Sequence, residues 1–185
     1  MDEPGTLAAL TPGEAGEVLT LQRAAFVTEA QAHRDLQIPP LTQTLAELHA
    51  ELGEQFCHGW GVRESGRLVA CVRAHVSGDT AELVRLVVAP DRQGRGIGTE
   101  LLLAAEDLLP PRVRTIGLFT GQHSHANLRL YRRHGYRQTH TTRAGAYLLV
   151  HLAKGRPRQP GPPPASQPAA VPCPRGAAGR QDSPA

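Results

Sequence analysis

Three glycines alternate in the middle of this chain: Gly94, Gly96 and Gly98. Before them runs the apolar stretch Leu83 to Val88, which ends in Ala89-Pro90. After them, from about Gly96 to Leu109, Ile97, Leu101, Ala105 and Leu108 recur at spacings of three and four, the period of an amphipathic helix. Pro110-Pro111 stops that helix. A buried strand feeding a helix through glycine implies a sheet with helices packed on it. The turn itself has a special chemistry. Glycine lets a ligand approach the backbone closely. The first amides of a helix have no helical partners, and the dipole there favours anions. Such a turn is a phosphate cradle in form, with Arg92 and Arg95 adding positive charge.

The rest of the chain supplies the layers. Thr11 to Glu14 reads as a helix start, and Val18, Leu19, Leu21, Ala25 and Phe26 form an apolar stripe after it. Pro39-Pro40 breaks the chain, and Leu45, Leu48 and Leu52 mark a second helix. Strands are expected from about Phe56 through Val62, from Leu68 to Val76 and from Ala81 to Val88, with turns at Glu64-Ser65-Gly66 and Ser77-Gly78-Asp79. Val113 to Phe119 is a further strand, Ser124 to His134 a short helix followed by Gly135, and Tyr136 to Thr142 with Ala146 to Leu152 a closing hairpin. The order predicts an α/β fold, a mixed and mostly antiparallel sheet flanked by helices.

Composition bounds the function. The net charge of +3 lies in the Pro-, Gly- and Ala-rich segment 155–185, which holds four arginines and one aspartate. Residues 1–154 form one expected domain that is close to neutral, which argues against a nucleic-acid surface. Segment 155–185 has too little apolar content to offset chain entropy and is expected to be disordered. No apolar run reaches the length of a membrane span. The first ten residues carry Asp2 and Glu3 and lack a basic n-region and an apolar core, so a cytoplasmic location is expected. Cys57, Cys71 and Cys173 are far apart, with no CxxC pair. Free thiols are expected, Cys57 and Cys71 as small core residues.

The phosphate ligand can be narrowed. A dinucleotide turn needs GxGxxG, but Thr99 stands at the third glycine position; no GK[ST] follows, so a P-loop is excluded. An ordinary glycine-rich strand-to-helix turn would share these residues. In its context, however, Gln93-Gly94-Arg95-Gly96-Ile97-Gly98 resembles the [QR]xxGx[GA] signature of the GNAT acyltransferase superfamily. A second segment, SHANLRLYRRHGYRQT from Ser124 to Thr139, is similar to that family's last-helix motif. Helical geometry puts Ser124, Asn127, Tyr131 and His134 on one face. Many relatives carry Asn seven residues before the Tyr. Ser124 stands there in this chain, so the asparagine contact transfers firmly to neither Ser124 nor Asn127, and Ser124 could simply cap the helix.

The resemblance implies an N-acetyltransferase that moves an acetyl group from acetyl-CoA to a primary amine, on a small molecule or a protein, by direct transfer. It implies cofactor contacts from Leu86, Val87 and Val88 at the strand end, from Gln93, Gly94, Arg95, Gly96, Ile97, Gly98 and Thr99 in the turn, and from Asn127 and Tyr131. Tyr131 would be the general acid for the leaving thiolate; alternatively it is a core aromatic. The base is open. Strict alternation would put Glu82 on the face of Val84, Leu86 and Val88, where it could act directly or through water, or serve as a salt-bridge partner. The nine histidines show no metal-ligand spacing, and no metal is expected. Glu29, Asp35 and Glu47 could attract a cationic acceptor, shaped by roughly Glu29 to Leu45 and Gln138 to Tyr147. Homodimers are frequent among relatives. A module that binds acyl-CoA without turnover is the alternative.

Overall fold

The computed structural model describes residues 5 to 157. Seven strands form one sheet in the order β1-β2-β3-β4-β5-β7-β6. They are β1 (Thr6–Ala9), β2 (Cys57–Glu64), β3 (Arg67–Ser77), β4 (Thr80–Val88), β5 (Thr115–Gly121), β6 (Arg137–Ala144) and β7 (Tyr147–Gly155). All neighbours are antiparallel except β4 and β5, which run parallel. The helices are α1 (Ala15–His33), α2 (Pro39–Thr42), α3 (Leu45–Gly53), α4 (Ile97–Leu108) and α5 (His125–Arg133). The expected mixed sheet flanked by helices is what the chain adopts. Two elements differ from expectation. The exposed residues of β1 pair with β2. Pro39-Pro40 opens the single-turn helix α2 instead of only breaking the chain, because proline suits the first helical positions.

Two cores lie on opposite faces of the sheet. Beneath α4, Leu101, Leu102 and Ala105 pack with Val72, Ala74, Leu83, Ile116 and Leu118. Beneath α1 and α3, Val18, Leu19, Leu48 and Leu52 pack with Cys71, Val87 and Ala89. Val87 and Leu83 thus face opposite sides although both are odd-numbered positions of β4. The pairing of β3 with β4 slips by one residue between Cys71 and Arg73. Arg85, opposite that slip, has φ +55°, in the left-handed region. This is a β-bulge, and it reverses the alternation of β4. The expectation that Glu82 shares a face with Leu86 and Val88 is therefore corrected. Glu82 lies with Val84 on the α1 side, whereas Leu86 and Val88 pack toward the α4 core.

The α1 face also buries a charge. The Arg73 side chain is 1% exposed. It donates from Nε to Glu51 Oε1 (2.8 Å) and from Nη2 to Gln22 Oε1 (3.0 Å). Glu51 also takes Gln43 Nε2 at 2.7 Å and His75 Nε2 at 3.0 Å. Burial pushes the Glu51 carboxyl up, but the His75 hydrogen bond and the Arg73 charge outweigh it and hold the group at about 2. Cys57 and Glu51 raise His75 to about 10. Cys71 is buried as expected, but Cys57 is only half-buried and clusters with Glu51 and His75 within 4.8 Å. At the far end, β7 continues through Gly155, and Arg156 Nη1 donates to the carbonyls of Leu109 and Pro110 at 3.1 and 3.0 Å. These capping bonds draw the chain past the expected boundary at residue 154. The expected disorder of 158–185 lies outside the described residues.

Breaking the Glu51 cluster should be costly. Glu51→Ala strands the buried guanidinium and is expected to cost about 3–5 kcal/mol in urea unfolding. His75 adds a pH signature. Its raised pKa gives stability that is complete below its ordinary value near 6.5 and is lost as pH rises through about 10. The fall in urea midpoint between pH 7 and 10 should be smaller in His75→Gln than in the native protein.

Candidate active site

The parallel ladder between β4 and β5 is short. It runs from Thr80 opposite Thr115 to Leu83 opposite Leu118 and then stops. Beyond that point β5 stays paired with β7 as far as Gly121, and β4 stays paired with β3 as far as Val88. The two strands separate, and the edge of β4 that faces β5 is free of ladder bonds from Val84 onward among the described residues. A cleft of about 230 Å³ fills the gap. Its lining includes Leu86 and Arg85 from β4, Phe119 and Thr120 from β5, Asn127 and Tyr131 from α5, and Glu29 and His33 from α1. Tyr147 of β7 lies across from them.

At the end of the same strand the chain turns through glycine. Gly94 and Gly96 have φ +76° and +89°, and Gly96 is the N-cap of α4. A side-chain carbon at Gly94 would meet nothing within 4 Å, so the space beside that residue is open. Thr99 N and Glu100 N donate back to Gly96 O at 2.8 and 3.1 Å. The earlier amides of the first turn stand at the positive end of the helix. Gln93 Nε2 straps the turn to Val88 O at 3.1 Å. Two ion pairs hold the approach. Arg67 grips Asp91 with bonds of 2.7 and 2.8 Å, which lower Asp91 to about 2, and Arg92 Nε donates to Glu64 at 2.6 Å.

The expected site residues thus fall into groups. Leu86, Asn127 and Tyr131 line the cleft. Val87 is buried on the α1 side, and Val88 carries the free edge toward the turn. Gln93 to Thr99 form the turn. Tyr131 is 6% exposed, and burial, then the Glu29 charge, raises its pKa, so it keeps its proton. Glu82 is exposed opposite His75 and is not among the cleft residues. Ser124 occupies the N-cap position of α5 but makes no side-chain cap bond; its hydroxyl donates to Glu29 Oε1 at 2.9 Å.

Sequence reasoning missed His33 and Arg85 and gave Glu29 only a weak part. The His33 side chain is 1% exposed and stacks on Tyr147 with ring centroids 4.0 Å apart. Its Nε2 stands 3.7 Å from Glu29 Oε1, and neither ring nitrogen has a hydrogen-bond partner. Gly121 makes room for this group, since a side-chain carbon there would collide with His33 Nε2 and approach Glu29 Oε1 to 3.1 Å. No local pattern marks these residues, because α1 meets β5 only in the folded chain.

A sheet split between two parallel strands, with a glycine turn into a helix at the end of one of them, agrees with the sequence comparison. Residues 21–136 match the profile described as the acetyltransferase (GNAT) family. The chain belongs to the GNAT acetyltransferase family. Among curated proteins, UPF0157 protein YqkA of Bacillus subtilis (strain 168) is 27% identical over 138 residues, which cover 75% of this chain. The chain spans only 39% of that protein's length. Among solved structures, the PaiA N-acetyltransferase of Thermoplasma acidophilum, in complex with coenzyme A, superposes with TM-score 0.69 at 14% identity, over 83% of this chain and all of that one. The ribosomal-protein-S18-alanine N-acetyltransferase of Escherichia coli gives TM-score 0.70 at 19% identity, over 82% and 93% of the two chains. At these identities the likeness is one of fold. No helix among the described residues is long and apolar enough to cross a membrane.

The gap at Gly121 can be tested on its own. Gly121→Ala should destabilise the fold by about 1–3 kcal/mol through overpacking. Adding His33→Ala should recover part of that loss in a double-mutant cycle of thermal unfolding.

Proposed function

We propose that this GNAT protein is an N-acetyltransferase that carries an acetyl group from acetyl-CoA to a primary amine in the cytoplasm. The observation that carries the proposal is the separation of β4 from β5 after Leu83 and Leu118, with the glycine turn at the end of one strand and Tyr131 at the gap. The turn fits a pyrophosphate in two respects. The backbone at Gly94 and Gly96 is left-handed, and the space beside Gly94 is open. The amides from Gly94 to Thr99, with Gln93 at their edge, would hold the phosphates. The free backbone edge of Leu86 to Val88 would receive the pantetheine arm, with Asn127 beside it. Acetyl-CoA supplies an activated thioester, and the protein needs no covalent nucleophile.

Across the reaction an ammonium loses two protons. One reaches the leaving sulfur and the other goes to solvent. Tyr131 is the donor to sulfur, because burial keeps its hydroxyl protonated. We assign the acceptor role to Glu29, which lines the cleft, rather than to the exposed Glu82. Ser124 fixes one Glu29 oxygen. Holding amine and thioester together can itself contribute on the order of 7 kcal/mol to lowering the barrier.

Isothermal titration of acetyl-CoA tests the cofactor half. The native protein should bind, Gly96→Glu should lose binding, and Gly96→Asn, whose side chain tolerates left-handed backbone, should retain most of it. No binding by the folded native protein sinks the proposal. Binding with no thiol release across an amine panel would favour a non-catalytic acyl-CoA module. With an active amine in hand, Tyr131→Phe should lower kcat by about 10²–10⁴. Glu29→Gln should lower it comparably, whereas Glu82→Gln should leave it near the native value.

A further inference from the structure

The bulge in β4 puts an arginine where few side chains are comfortable. Arg85 has φ +55°. A non-glycine residue in the left-handed region costs on the order of 1 kcal/mol or more and persists where the surroundings impose it. The bulge turns this side chain to the α1 face of the gap, where its guanidinium stands 5.9 Å over the Phe26 ring. It lines the cleft together with Glu29, His33 and Tyr147. Its Nε is buried and has no hydrogen-bond partner. Burial, then the Arg73 charge, lowers its pKa, whereas the Glu51 and Glu29 charges work the other way. A buried guanidinium nitrogen left unpaired is costly. The cleft therefore holds a guanidinium whose buried Nε lacks an acceptor, on the same lining as Glu29, a carboxylate that accepts from Ser124 and stands 3.7 Å from His33.

A cofactor phosphate is a poor fit for that guanidinium. The phosphate-binding geometry lies in the turn from Gly94 to Thr99, beyond the end of β4, while Arg85 lies inside the gap against α1. The amine enters from the α1 side if Glu29 takes its proton. Arg85 and Glu29 then present opposite charges to one small molecule.

We propose that Arg85 binds a carboxylate of the acceptor, and that the acceptor is a free amino acid, a small molecule bearing both an amine and a carboxylate. This rests on the acetyl-transfer reading of the same cleft. The planar guanidinium takes the two carboxylate oxygens as a fork, and Glu29 receives the ammonium. Transfer then forms a nitrogen–carbonyl bond and breaks the carbon–sulfur bond. One proton goes to the sulfur from Tyr131 and one leaves through Glu29. The aromatic and aliphatic lining from Phe26, Ile38 and Leu149 favours an amino acid with an apolar side chain.

The experiment uses the full chain saturated with coenzyme A, so that binding is read apart from turnover. Thermal shift and titration calorimetry are run with the common L-amino acids. Matched amines lacking the carboxylate go alongside them, such as phenethylamine for L-phenylalanine. At least one amino acid should stabilise the protein saturably and its amine should bind on the order of tenfold to a hundredfold more weakly. Arg85→Asn keeps a residue that tolerates left-handed backbone and removes the charge. It should fold at least as well as the native chain and raise KM for the amino acid by a similar factor, well beyond any change in KM for the amine, so that the discrimination between the two is lost; discrimination that survives overturns the assignment. Arg85→Lys should recover only part of the discrimination. Equal or tighter binding of the amines overturns the assignment and leaves acetyl transfer intact. Coenzyme A binding with no saturable response to any amino acid overturns it too. No coenzyme A binding removes the acetyl-transfer reading and this inference with it.

Discussion

The structure depends on where two strands stop touching. Parallel β4 and β5 share a ladder over only four residue pairs. A parallel pair buried between helices ordinarily continues, since unpaired main-chain groups inside a protein are costly. Here the bulge at Arg85 rotates β4 away from its neighbour and presents its free edge to the cleft. The sheet survives the split because each half is anchored on its outer side: β4 by β3, and β5 by β7. The helices follow from this. α5 covers the split from one side and brings Asn127 and Tyr131 to it, while α1 covers the other and brings Glu29 and His33.

Electrostatics around the split are arranged asymmetrically. Arg73, one strand further out, is buried and bonded to Glu51, Gln22 and Gln43 through Nε and Nη2, with Nη1 left without a partner. Arg85, in the cleft, is matched at one face by an aromatic ring and keeps its Nε unpaired. The same residue type thus serves two ends. The first arginine stitches α1, α2 and α3 onto the sheet, because Gln22 also donates to Pro40 O. The second lines the cleft from a left-handed backbone position in the bulge.

Much of this was legible in the order of residues, for identifiable reasons. The helix of Ile97 to Leu108 has a clean period, and Gly96 with Pro110 sets its ends. The glycine turn declares itself because left-handed backbone needs glycine. The site was less legible where it depended on tertiary encounter. Arg85 carries no turn signal, so strict alternation carried Glu82 to the wrong face. Ser124 looked like a cap, but its hydroxyl reaches α1 instead. β1 lacks alternation and β-branched apolar residues, and it is placed by its pairing with β2. Glu29 and His33 sit at the end of a helix whose charged residues all look alike from sequence, and Gly121 alone reveals, in three dimensions, that something must approach β5 there.

The docking of Arg156 has a geometric consequence for the molecule's surroundings. Gly155 pairs with Thr115, the first residue of β5, whereas the cleft opens near Thr120 and Gly121 at its last. Six residue steps of extended chain, from Thr115 to Gly121, separate the two ends, about 20 Å. The polypeptide therefore leaves the described fold on the rim opposite the mouth of the cleft. Whatever is grafted to or grips the C-terminal segment holds the fold by its back and leaves the open end of the cleft clear.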